Sequence, residues 1–232
     1  MEKITVTQNG ELCPYMSYLY TKVTDRFSFL PADSRLVSDG DRTVASFLSE
    51  EKYCPYIRSY TEERIADVIA VGYKYRYFDS TLSLPFLSKE QRSILCAALV
   101  AADLEEDRAF VRRKIAGVAE YCIDGTYNFR LSELKTRWKG IADYVPTDFT
   151  ETSLDGFLDF LIGESRGKVF LKDGKLYDED YRLLELSALI GKEKPIYEIL
   201  LSGADNIYCF GKTDGETQTF LKKYYKEKVV FC

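Results

Sequence analysis

The sequence predicts an α+β protein, with a mostly helical N-terminal body and a small C-terminal mixed β-sheet. Three observations carry this reading. Capped stretches with apolar residues at helical spacing fill the middle of the chain. Two alternating runs flank Asp173-Gly174, which is the pattern of a hairpin. The end of the chain then reads strand, helix, strand, a β-α-β unit that pairs two parallel strands through a crossover. The helical region is expected at 1–165 and the α+β region at 166–232, packed as one unit with the helical body.

The first 60 residues give the weakest pattern. "KITVTQ" alternates and predicts a strand. Pro14 suits the first turn of a helix that carries Met16, Leu19 and Val23. In "SDGDRTVASFLSEEK", Ser38 or Asp41 can cap a short helix. Pro55 is expected to break the chain.

The helical signal strengthens at Thr61, which can cap a helix bearing Ile65, Val68 and Ile69. Pro85 interrupts the next loop. Ser88 and Gln91 have the spacing of a capping box, and Ile94, Leu95, Ala98 and Leu99 follow it. Another helix is expected from Asp103 through Val118 and Ala119. Its acids Glu105, Glu106 and Asp107 precede its bases Arg108, Arg112, Arg113 and Lys114, as the helix dipole favours. Helix continues through "LSELKTRWKGIADYV". A further one begins near Thr150 or Thr152, with Leu154, Phe157, Leu158, Leu161 and Ile162 on a wide apolar face. After the hairpin, "YRLLELSALIG" reads as a third strand and "KPIYEILLSGAD" as a short helix. "NIYCFG", "GETQTFLKKYYKE" and "KVVFC" form the closing strand, helix and strand.

Composition narrows the chemistry. The 232 residues include 18 Tyr and 14 Phe, enough to bury a core without staples. The net charge of −5 speaks against duplex nucleic acid, whose binders carry a basic field. No apolar run has the length of a membrane span. The cysteines, Cys13, Cys54, Cys96, Cys122, Cys209 and Cys232, form no CxxC pair, and "MEKITVTQNG" is polar. Reduced thiols in a cytoplasmic protein are therefore expected. Histidine is absent, which removes Ser-His-Asp and Cys-His nucleophiles and every His-containing zinc site.

The stretch "DGTYNFRLSEL", residues 124–134, stands out from this background. It resembles the Phe-Arg-Leu signature of the YtxC-like sporulation protein family of endospore-forming bacteria. "TSLDGFLDFLIGE" is similar to that family's Phe-rich helix, "DGKLYDED" to its hairpin, and "EERIADVIAVGYKYRYF" to its helix before the central loop. "ILLSGADNIYCFGK" with "ETQTFLKKYYKEKVVFC" resembles its ending. The resemblance spans roughly residues 60–232 and is best after residue 104. Two departures stand out. Asp124 and Thr126-Tyr127 replace the usual Glu-Gly-Phe-Val register, and Tyr208-Cys209-Phe210 stands where the family carries a His. The resemblance implies a sporulation-associated cytoplasmic protein and no particular reaction.

The candidate binding site is Tyr127, Asn128, Phe129 and Arg130. Arg130 between aromatics at a helix start can meet an anion or a partner, since its guanidinium recognises carboxylate and phosphate. In the other reading, Tyr127 and Phe129 share one side of an extended segment as core anchors, and Arg130 pairs with Asp124 or Glu133. Asp178-Glu179-Asp180 lacks the spacing of an EF-hand and reads as a solvated hairpin end. Asp155 and Asp159 share a helix face and read as a surface stripe. Gly211-Lys212-Thr213 lacks the first Gly of a P-loop, although its turn can offer N–H groups to an anion. Trp138 and Tyr144 read as core. The basic-aromatic clusters "YKYRYF" and "KKYYKE" read as amphipathic packing. The expected role is a non-enzymatic protein-binding or scaffolding module, with an unidentified protein partner, no cofactor and no metal. The alternative is a small-molecule or nucleotide-binding protein, or an enzyme without histidine chemistry, using the Arg130 site or the turn after "NIYCFG".

Overall fold

A computed structural model describes residues 1–10, 14–30 and 33–232, so Cys13 lies outside the described residues. The fold is α+β, with a C-terminal mixed sheet as expected and a second sheet nearer the N-terminus. The chain forms two compact units that alternate along the sequence. One holds residues 1–74 and 105–140, the other 75–104 and 141–232. Residue 165 thus lies inside the second unit.

The first unit starts with β1 (Glu2–Asn9) and α1 (Pro14–Arg26). Pro14 opens α1, and Met16, Leu19 and Val23 are buried, as the spacing predicts. Next come β2 (Asp33–Asp39) and β3 (Arg42–Ser49). This hairpin replaces the short helix expected from Ser38 or Asp41. Gly40 takes a positive φ of 59° in the turn, and Thr43, Ala45, Phe47 and Ser49 alternate inward. That period of two suits a half-buried strand. β1 pairs antiparallel with β3 and parallel with the two-residue strand β4 (Tyr121–Cys122), giving the order β2-β3-β1-β4.

The helix α2 (Cys54–Asp67) begins earlier than Thr61. Pro55 sits in its first turn, where a missing N–H costs nothing. Thr61 is internal and donates to the Ile57 carbonyl at 2.7 Å. The helix continues as a π-helical segment, Val68–Tyr73, and then as α3 (Lys74–Thr81). All six π residues are buried. Gly72 is required there, because a Cβ would stand 2.6 Å from Cε1 of Tyr15.

The capping box of Ser88 and Gln91 opens α4 (Lys89–Ala101) as expected. α5 (Leu104–Ile115) stops before Val118, and Gly117 follows with φ 74°. Two helices succeed β4, α6 (Ile123–Arg130) and α7 (Ser132–Tyr144). Thr150 caps α8 (Glu151–Glu164), whose Leu154, Leu158 and Ile162 are buried.

The second sheet has the order β6-β5-β7-β8. β5 (Lys168–Lys172) and β6 (Lys175–Tyr177) form the hairpin, with Asp173 and Gly174 at φ 50° and 74°. Both positive values are what a two-residue primed turn requires. The expected third strand is only an isolated bridge, Tyr177 to Leu183, followed by a 3-10 helix at Leu186–Ile190. The buried Glu198 carboxylate accepts from the N–H groups of Leu186 and Ser187 at 2.8 and 2.7 Å, and so starts that helix. Glu198 belongs to α9 (Pro195–Ser202). β7 (Asn206–Phe210), α10 (Gly215–Tyr224) and β8 (Val229–Phe231) complete the chain. β7 runs parallel to both β5 and β8. No helix among the described residues is long and apolar enough to cross a membrane.

Candidate functional site

The stretch 124–130 is helical, which corrects the extended reading, and this changes which side chains share a face. α6 grows directly out of β4. Cys122 is its N-cap, and its Sγ accepts from the Gly125 N–H at 3.4 Å. Asp124, in the first turn, ties the helix to the end of β1. Its carboxylate accepts from the Asn9 N–H at 2.7 Å and from the Tyr73 hydroxyl at 2.6 Å. That hydroxyl in turn accepts from Gln8 Nε2 at 2.9 Å. A carboxylate at a helix N-terminus is also favoured by the dipole.

Tyr127 fixes the other side of α6. Its ring is 4.7 Å from the Tyr73 ring and 6.0 Å from that of Trp138, measured between centroids. Lys135 lies 5.2 Å over the Tyr127 ring and donates to the Asn128 carbonyl at 3.1 Å. Trp138 is fully buried, as the sequence predicts. Its indole N–H donates to Asp107 at 2.8 Å. Asp107 also meets Lys74 at 2.9 Å and Arg137 at 3.0 Å, and the side chains of Lys74 and Asp107 are both wholly buried. Burying such a pair costs hydration, and the additional hydrogen bonds to the carboxylate offset that cost.

Asn128, Phe129 and Arg130 are exposed, and Phe129 is 87% accessible. Phe129 is therefore no core anchor. Arg130 does not pair with Asp124 or Glu133. Asp124 serves Tyr73 and Asn9, Glu133 meets Lys114, and Arg130 has no ion pair among the described residues. Helical geometry sets Phe129 about 200° around the axis from Tyr127, whereas Arg130, three residues on from Tyr127, is exposed as the last residue of the helix. Tyr144 is likewise 90% exposed and outside the core.

The other sequence candidates have local partners. Asp178 accepts from the N–H groups of Asp180 and Arg182, closing a turn. Asp155 meets Lys223 and Tyr224, and Asp159 meets Lys226, so that stripe is a paired surface. The turn after β7 leads to Asp214, which caps α10 by accepting from the Thr217 N–H at 2.8 Å. Among the described residues no cluster of three or more Cys, Asp or Glu is placed to hold a metal ion.

Sequence reasoning missed Gln8, Tyr73 and the Lys74–Asp107 pair as the framework of this site. Lys74 carried a signal. It sits within "VIAVGYKY", where every neighbour belongs on a buried helix, and a buried lysine needs an acid.

No protein-family model, curated protein or solved structure matches this chain.

Proposed function

We propose that this chain is a non-enzymatic protein-binding or scaffolding module, and that the exposed end of α6, at Phe129 and Arg130, makes the contact. The carrying observation is the division of that helix. Asp124 and Tyr127 are held by hydrogen bonds and stacked rings, while Phe129 and Arg130 stand free beside them. An aromatic ring and an Arg on a rigid support are the residue types that dominate protein interfaces. The backbone that carries them is held in place before binding, which lowers part of the ordering cost of association. The sequence resemblance to the YtxC-like family supports placing this role in sporulation, in the cytoplasm.

Site-specific photo-crosslinking tests the reading. A photo-reactive residue at position 129 is expected to capture one defined protein in sporulating cells. The same residue at Tyr56, also exposed and in the same unit, is expected to capture none. Identical products from both positions, or none from position 129, would count against α6 as the contact.

A further inference from the structure

A cleft of about 570 Å³ lies within the second unit, apart from α6. Its volume falls in the range of small-molecule sites. Tyr75 and Asp79 enter from one face of α3, and Lys89, Arg92 and Ser93 from one face of α4. Gly191 and Lys192 close it from the end of the 3-10 helix that Glu198 caps. Leu84, Leu87 and Ile190 supply an apolar wall.

The charges of this cleft do not balance. Among the residues lining it, Lys89, Arg92 and Lys192 stand with one carboxylate, Asp79, so the lining carries two more formal positive charges than negative. Glu90 and Glu193 border the adjoining cleft that Lys89 and Lys192 also line, together with Lys194. Asp79 stands 3.7 Å from Arg92. Lys192 donates to the Ser93 hydroxyl at 3.0 Å. A hydrogen bond from Lys194 holds the Glu90 carboxyl below its usual value, and Lys192 lies near enough to add to that. Neither Lys192 nor Lys89 has an ion pair among the described residues. Arg92 Nε is buried without a hydrogen-bond partner among them. Placement sharpens the imbalance. Lys89 and Arg92 lie in the first turn of α4, where the helix dipole disfavours cations. The acid of that turn, Glu90, is turned to Lys194, which also binds Glu216 at 2.7 Å. Asp79 offsets Arg92, whose guanidinium also donates to the Asp79 carbonyl, while Lys89 and Lys192 have no such acid. Such departures from local electrostatic preference are the kind found at functional sites.

We infer that this cleft binds a small phosphate monoester with an apolar organic group. A phosphate monoester carries close to two negative charges at neutral pH, matching the surplus. Lysines meet it as point charges and Arg92 through its guanidinium. A monocarboxylate leaves one positive charge unmet. The organic group lies against Leu84, Leu87 and Ile190. The site does not depend on α6 or on the proposed protein contact.

Titration calorimetry on the full chain tests this with phenyl phosphate, inorganic phosphate, benzoate and phenol. Saturable binding of phenyl phosphate is expected, weaker binding of inorganic phosphate and benzoate, and none of phenol. Lys89→Gln and Lys192→Gln are each expected to weaken phenyl phosphate by about tenfold or more, the worth of one charge-assisted hydrogen bond. Lys89 is exposed, so its variant is expected to keep the wild-type circular dichroism and unfolding midpoint. No saturable binding of phenyl phosphate to wild type overturns the proposal. So does binding that is unchanged in the folded Lys89→Gln protein, or benzoate binding as tightly as phenyl phosphate.

Discussion

The two compact units use charge in opposite ways. The first buries it. Lys74 and Asp107 are wholly inside, and Asp67, nearly inaccessible, gathers Arg64 at 3.1 Å, Arg108 at 2.7 Å and the Tyr18 hydroxyl at 3.2 Å. The second keeps its pairs at the surface, as with Lys194 and Glu216 or Lys223 and Asp155, all of them substantially exposed. The same chemistry has a different worth in each place. A buried ion that loses its partner is left unhydrated, whereas an exposed one returns to water. Charge in the first unit fixes where helices sit, and α6 depends on that. In the second, ion pairs stay at the surface, and the buried Glu198 carboxylate is held by backbone N–H groups.

Breaking the buried network should have the largest effect. Asp107→Ala leaves Lys74 and the Trp138 N–H without their carboxylate and is expected to destabilise by about 3–5 kcal/mol in urea denaturation. That loss should change little in high salt, because a buried pair is poorly screened.

Alkaline pH acts on buried phenols in both units. Burial, reinforced by the hydrogen bond to Glu62, pushes the Tyr121 phenol of the first unit up to about 12. Burial pushes Tyr75 of the second unit up to about 12 as well. Burial and the neighbouring Asp67 hold Tyr18 well above its usual value. Between about pH 10 and the raised values, the unfolded chain ionises these phenols and the native one does not. The native state then holds more protons, so stability is full below about pH 10 and falls as pH rises towards 12. A pH series of urea midpoints, with phenolate absorbance read alongside, should show both changes together. A midpoint that stays level to pH 12 would contradict the burial of these rings.

The exposed pairs should give the smallest effect. Lys194→Ala is expected to cost less than about 1 kcal/mol, and the cost should vanish in high salt. A loss as large as that of Asp107→Ala would erase the distinction between the units.

What the sequence made legible was local. Asp173-Gly174, the Ser88 and Gln91 box and the Thr150 cap each specify their structure within a few residues, and each forms as expected. The β2–β3 hairpin escaped because Ser, Asp and Gly serve both as helix caps and as turn residues. Only the alternation of Thr43, Ala45 and Phe47 separates the two. The α6 site was half legible. Its residue types stood out, but which faced inward depended on helix rather than strand geometry. Its framework depended on pairings distant in sequence, such as Tyr73 with Asp124 and Lys74 with Asp107. No local window contains both members of those pairs.

Helix α6 is anchored through Asp124 and Tyr127 and exposed at Phe129 and Arg130. The most direct test measures Arg130→Ala and Tyr127→Ala beside wild type, by urea denaturation and by crosslinking from position 129. Arg130→Ala is expected to keep stability within about 0.5 kcal/mol, as exposed substitutions do, and to lose the crosslinked partner. Tyr127→Ala is expected to cost about 2–4 kcal/mol through its lost stacking and packing. Equal destabilisation by the two variants, or a partner retained in Arg130→Ala, would contradict the account.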